Sequence, residues 1–126
     1  MAPKSEQTQR PSKAKKFIET LLFEDQSRDP RPAEIILSKA VNAVCGPRND
    51  SYGPPIEDFK CQAAMISAYL SRTNGKEVKV TASDIAAIMC CVKLGRQAHV
   101  PKEDNWIDLA GYAACGGEIN TMEGSI

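Results

Sequence analysis

SDIAAIMCCVKLGRQAH, residues 83–99, is the stretch whose reading decides the fold class. Wrapped on a helix, it places Ile85, Ile88 and Val92 on one side and Ala87, Cys91, Leu94 and Ala98 on another. A helix apolar in nearly every direction is one that neighbours surround, so this segment is expected at the centre of a helical bundle. Its start has a local cause: Thr81 followed three residues later by Asp84 has the form of a capping box. Pro101 ends it, since proline lacks the N–H a helix needs. Lys93 and Arg96 lie three apart within it, beside Met89.

Other helices follow on either side. A last helix is expected over about 105–120, with Asp104 as its N-cap. Upstream, Ile56, Phe59, Ala63, Ile66 and Leu70 repeat at helical spacing after Pro54-Pro55, and Asn74-Gly75 supplies a left-handed stop. Val78 and Val80 alternate over a piece too short to make a sheet. Leu37, Ala40, Val41 and Val44 form the stripe of a helix that Pro32 opens and Gly46-Pro47 closes. Phe17, Ile18, Leu21 and Leu22 suggest a first amphipathic helix from Ser12 to about Asp25, ended by the prolines of RDPRP. The expectation is an all-α, compact bundle of four to five helices around a central apolar helix. Residues 1–11 read as a disordered basic tail, 12–120 as one helical domain and 121–126 as a C-terminal tail.

The totals narrow the function classes. The 126 residues suit one domain, and 16 basic against 16 acidic side chains give no net charge. Residues 1–16 carry five basic residues against Glu6, a net of +4, which leaves −4 for the rest. Duplex nucleic acid is therefore not an expected partner, although a short basic arm could touch phosphate weakly. No apolar run approaches the roughly 18 residues of a membrane span, and the polar N-terminus is unlike a signal peptide. The five cysteines include no CxxC pair and mostly sit in apolar helical patterns. They read as small hydrophobes in a reducing cytoplasm.

The segment DNWIDLAGYAACGGEI, residues 104–119, sets Asp104, Asp108, Tyr112 and Cys115 on one face and Trp106, Leu109, Ala110 and Ala113 on the other. Gly111, Gly116 and Gly117 thin it, at roughly 1 kcal/mol each relative to alanine. Close crossing against a neighbouring helix is the plain reason. Two acids one turn apart can share Mg²⁺, or one can cap the helix while the other pairs with Lys93 or Arg96. Ser51-Tyr52-Gly53, ahead of a helix N-terminus, could offer backbone N–H groups to an anion.

Three blocks carry a likeness to known proteins. NDSYGPPIEDF, SDIAAIMCCVKLGRQAH and KEDNWIDLAGYAACGGEI resemble a family of small, uncharacterised helical proteins of tailed bacteriophages and prophages. The resemblance covers residues 48–119, and a phage origin would imply the host bacterial cytoplasm. More distantly the chain resembles the MazG-type all-α nucleotide pyrophosphohydrolases, usually oligomeric, which hold Mg²⁺ with acids from two helices. This likeness implies a nucleotide pocket with Glu57, Asp58 or Asp84 on one side and Asp104 and Asp108 on another. Lys93 and Arg96 would face phosphates, and Tyr52 or Tyr112 would stack on a base. The ligand-facing set is then Tyr52, Gly53, Lys93, Arg96, His99, Asn105 and Tyr112, and the metal set Asp104, Asp108 and Asp84. The acidic motif departs from the MazG pattern, because Glu57 and Asp58 are adjacent and point about 100° apart. Three functions stay open: a Mg²⁺-dependent nucleotide hydrolase, a non-catalytic sponge for a host nucleotide immune signal, and a helical homo-oligomer or adaptor joined through the small residues of 110–117.

Overall fold

Local chemistry starts each helix of the computed structural model, which describes Ser12, Lys13, Lys15, Lys16, residues 28–47 and residues 53–126. Helix α1 (Pro32–Cys45) and helix α2 (Pro55–Asn74) both open on proline, whose missing N–H is no loss in a first turn. Glu34 reaches back from α1 to accept the Arg31 N–H at 2.6 Å. Helix α2 ends at Gly75, whose φ of 65° is left-handed backbone that glycine adopts without strain. Helix α3 (Ala82–His99) begins with the expected capping box. The Thr81 N–H donates to Asp84 Oδ2 at 2.8 Å, and the Asp84 N–H donates to Thr81 Oγ1 at 3.2 Å.

Helix α4 (Glu103–Met122) starts earlier than the sequence suggests. Lys102 is its N-cap, so Asp104 sits inside the first turn rather than at the cap. The cause lies in the turn before it. Gln97 Oε1 accepts the Lys102 N–H and the Asn105 side-chain amide, each at 3.0 Å, and the same Asn105 amide donates to the Val100 carbonyl at 3.3 Å. Gln97 and buried Asn105 thus bolt the end of α3 to the start of α4.

Between α2 and α3 the alternating valines run as extended chain without strand partners. Ser71 Oγ accepts the Val78 N–H at 2.8 Å and donates to the Val78 carbonyl at 3.1 Å. Ser67 Oγ does the same for Val80 at 2.8 and 3.2 Å. Two serines one helical turn apart therefore satisfy backbone groups that a sheet would otherwise pair.

Helix α4 touches each of the other three, packing chiefly on α3 and α1, while α3 also packs on α2. The core joins Phe59, Ala63, Ala82, Ile85, Ala86, Cys115 and Ile119. The result is an all-α bundle, with no strand among the described residues. Helix α3 is covered on one side only: Ile85 and Ala86 are buried, whereas Ile88 and Leu94 are 45% and 49% exposed. Two neighbouring helices can cover about half of a helix, and the rest of its apolar coat faces outward. Residues Met1–Pro30 form a separate unit. In it Ser12 opens a helical turn, its Oγ accepting the Lys15 N–H at 3.2 Å and its carbonyl the Lys16 N–H at 3.0 Å. Phe17, Ile18, Leu21 and Leu22, and the tail of residues 1–11, lie outside the described residues.

Candidate functional site

A cavity of about 330 Å³ opens between α1, α2 and α4. Val44 lines it from α1, and Asp58, Phe59 and Gln62 from α2. Helix α4 contributes Ile107, Asp108, Gly111, Tyr112 and Cys115, while Gly53 stands before α2 and Pro55 opens it. The face of α4 that carries Asp108, Tyr112 and Cys115 is thus the inward one, and Trp106 on the opposite face is 46% exposed. Glycine makes room for this arrangement. A Cβ at Gly111 would meet the Val44 side chain at 3.2 Å, and one at Gly116 would meet Ala86 Cβ at 3.2 Å. The glycines thin α4 against two helices, α1 and α3. Gly117 is different, with nothing within 4 Å of where its Cβ would lie.

Lys93, 8% exposed, crosses from α3 to α4 and donates to Asp108 Oδ2 at 2.5 Å. The pair is charge-assisted and mostly withdrawn from water, the setting in which each partner most needs the other. Phe59 and Tyr112 stand beside it as a tilted ring pair with centroids 6.1 Å apart. Asp58 is exposed at the rim and Gln62 half-buried. These two and Asp108 are the acidic and amide groups of the cavity lining. Their spacing was visible in the sequence, since 58 and 62 are one turn apart, but Gln62 and Val44 have no chemistry that marks them in advance.

The expected site residues divide. Gly53, Asp108 and Tyr112 come together in the cavity, with Lys93 joined to it through Asp108. Asp84 is committed to the α3 cap, and Asn105 to the α3–α4 turn. Arg96 and His99 are exposed in the last turns of α3, and Asp104 is exposed in the first turn of α4. Glu57 pairs with Lys60 at 3.3 Å on the surface of α2. Tyr52 lies outside the described residues. Among the described residues no three His, Cys, Asp or Glu side chains converge as a metal-binding group. No helix among them is long and apolar enough to cross a membrane.

Burial raises the Cys115 thiol above its ordinary pKa, helped by the nearby Glu118 carboxylate and Cys45, against a smaller opposing backbone hydrogen bond. Burial, then Cys91 beside it, does the same to Cys90. Neither is poised as a thiolate nucleophile.

Comparison with known proteins supports the phage-family resemblance. The gene 55 protein of Mycobacterium phage D29 is 36% identical over 84 residues, which cover 66% of this chain and 52% of that protein. The chain therefore spans about half the length of that relative. No solved structure matches it. A family described as a domain of unknown function, DUF6378, matches residues 35–120, a segment that takes in α1 from Ile35 onward, α2, α3, and α4 as far as Asn120. From the Val44–Gly111 contact to the Lys93–Asp108 pair, the site is built inside that matched segment, and the chain belongs to the DUF6378 family.

Proposed function

We propose that the chain binds a nucleotide, holding the base in the α1–α2–α4 cavity, and that it does so without hydrolysis. The observation that carries this reading is the cavity lining: the Phe59–Tyr112 ring pair beside acceptor groups of Asp58, Gln62 and Asp108. Aromatic rings offer a face to a base, and carboxylate and amide oxygens accept from the N–H groups along its edge. Two carboxylates against one lysine make the interior a poor place for phosphates. Those are assigned to the mouth of the cavity at Gly53, outside the acidic lining.

Binding is favoured over hydrolysis because the acids expected to share Mg²⁺ are spread apart. Asp84 caps α3, Asp104 is exposed, and Asp108 is held by Lys93. Asp58 and Asp108 are the carboxylates that would hold Mg²⁺ in a hydrolytic version, since both line the cavity. Retention without conversion suits a protein that sequesters a nucleotide signal.

The test is thermal unfolding against a panel of linear and cyclic nucleotides, with and without Mg²⁺, followed by chromatography of each ligand that shifts the transition. A ligand at 100 times its Kd should stabilise the fold by about 2.7 kcal/mol and be recovered intact. Asp58→Ala and Gln62→Ala should abolish the shift and leave the unliganded transition unchanged. A converted ligand would make the chain an enzyme, and no shift across the panel would end the nucleotide reading.

A further inference from the structure

Two glycines in mid-helix have no steric purpose among the described residues. Nothing lies within 4 Å of a Cβ built at Gly95 of α3 or at Gly117 of α4, yet each glycine weakens its helix by roughly 1 kcal/mol relative to alanine. Both lie among apolar side chains that the bundle leaves uncovered. On α3, Ala87, Ile88, Cys91, Leu94, Gly95 and Ala98 are all exposed. On α4, Trp106 and Ala113 are exposed on the side turned away from the cavity, with Gly117 half-buried near them on the wheel. Lys93, the charged residue between Asp84 and Arg96, points inward to Asp108. The outward side of α3 thus carries no charge for nearly three turns.

We propose that this α3–α4 face binds a second copy of the same chain, with the two α3 helices antiparallel and crossing near Cys91. Three features select this occupant. Ala87, Cys91 and Gly95 recur every four residues, a small-residue line that lets another helix backbone come close. The ends of the face are of opposite kind: Asp84 stands at one and the imidazole of His99 at the other. A two-fold axis near Cys91 brings the acidic end of each copy to the basic end of its mate, as a self-complementary interface requires. The antiparallel arrangement also sets the positive N-terminus of each α3 beside the negative C-terminus of the other. Of the small residues of 110–117, Gly111 and Gly116 are already used inside the chain, against Val44 and Ala86, which leaves Ala113 and Gly117 to the proposed face. The exposed pairs Leu37 and Val41 on α1, and Met65 and Tyr69 on α2, include no such unexplained glycine.

Light scattering on the full-length chain in the micromolar range should give twice 13.7 kDa. The single tryptophan, Trp106, should shift its emission to the blue as the concentration is raised through assembly. Gly95→Leu and Leu94→Asp should both be monomeric with unchanged helical circular dichroism, since neither side chain is buried in the monomer. His99→Asp, which sets like charges together, should weaken association at least tenfold. Leu21→Asp should leave the dimer intact. A wild-type monomer, or a dimer that survives both Gly95→Leu and Leu94→Asp, overturns the proposal. So does a result in which Leu21→Asp releases the assembly and the α3 variants do not, which would give the face to the N-terminal segment.

Discussion

Lys93 illustrates how far one residue's meaning depends on its neighbour. In the sequence it is open either to a phosphate or to pairing with Asp108; in the fold its ammonium, 8% exposed as a residue, is held by Asp108 at 2.5 Å. Removing one member of a withdrawn pair leaves the other charge without compensation, whereas replacing both by apolar groups of similar size does not. Asp108→Ala is therefore expected to lower stability by about 3 kcal/mol, and Lys93→Met with Asp108→Leu to recover most of it. Urea denaturation of the single and double variants checks this, and equal losses in both would mean that the pair contributes no more than its packing. Asp108→Ala is consequently a poor probe of function by itself, and Asp58, exposed at the rim, is the better one.

At the scale of the element, α4 is legible in part. Its helical character, its thinness and the sharing of one face by Asp108, Tyr112 and Cys115 follow from spacing alone. Which face turns inward does not, because Trp106 and Leu109 make the opposite face the more apolar by composition. Packing reverses that preference: only a side without bulk lets α1 and α3 approach within 3.2 Å of where the Gly111 and Gly116 Cβ atoms would be. Gly111→Leu and Gly116→Leu should each lower stability by about 1–3 kcal/mol through overpacking, measurable as a lower urea midpoint. Gly117→Ala has free space and should be neutral or stabilising in dilute solution. A stabilised Gly116→Leu would contradict the close crossing.

For the whole molecule, the two thiols shifted by burial tie stability to pH. Cys90 and Cys115 have folded pKa values above their ordinary value of about 9.0, so the unfolded chain ionises first. Their contribution is whole below about pH 9.0 and is lost as pH rises through the folded values. Denaturation measured from neutral to about pH 10 should show an alkaline decline that Cys90→Ala combined with Cys115→Ala makes shallower. An unchanged slope in that double variant would place the alkaline sensitivity elsewhere.

The division between what the chain announces and what folding decides follows the range of the forces. Helices, their proline starts, the Thr81–Asp84 box and the Gly75 stop rest on contacts within four residues, and all are readable in order along the sequence. Val78 and Val80 read as extended chain for the same local reason, but their partners, Ser71 and Ser67, are 7 and 13 residues away. The cavity, the choice of Asp108 for Lys93, the use of Asn105 as a bolt and the uncovered side of α3 all depend on how α4 lies against α1 and α3. Side chains far apart in sequence meet only after the helices have found the crossings that exclude water, and the thin side of α4 determines where those crossings fall.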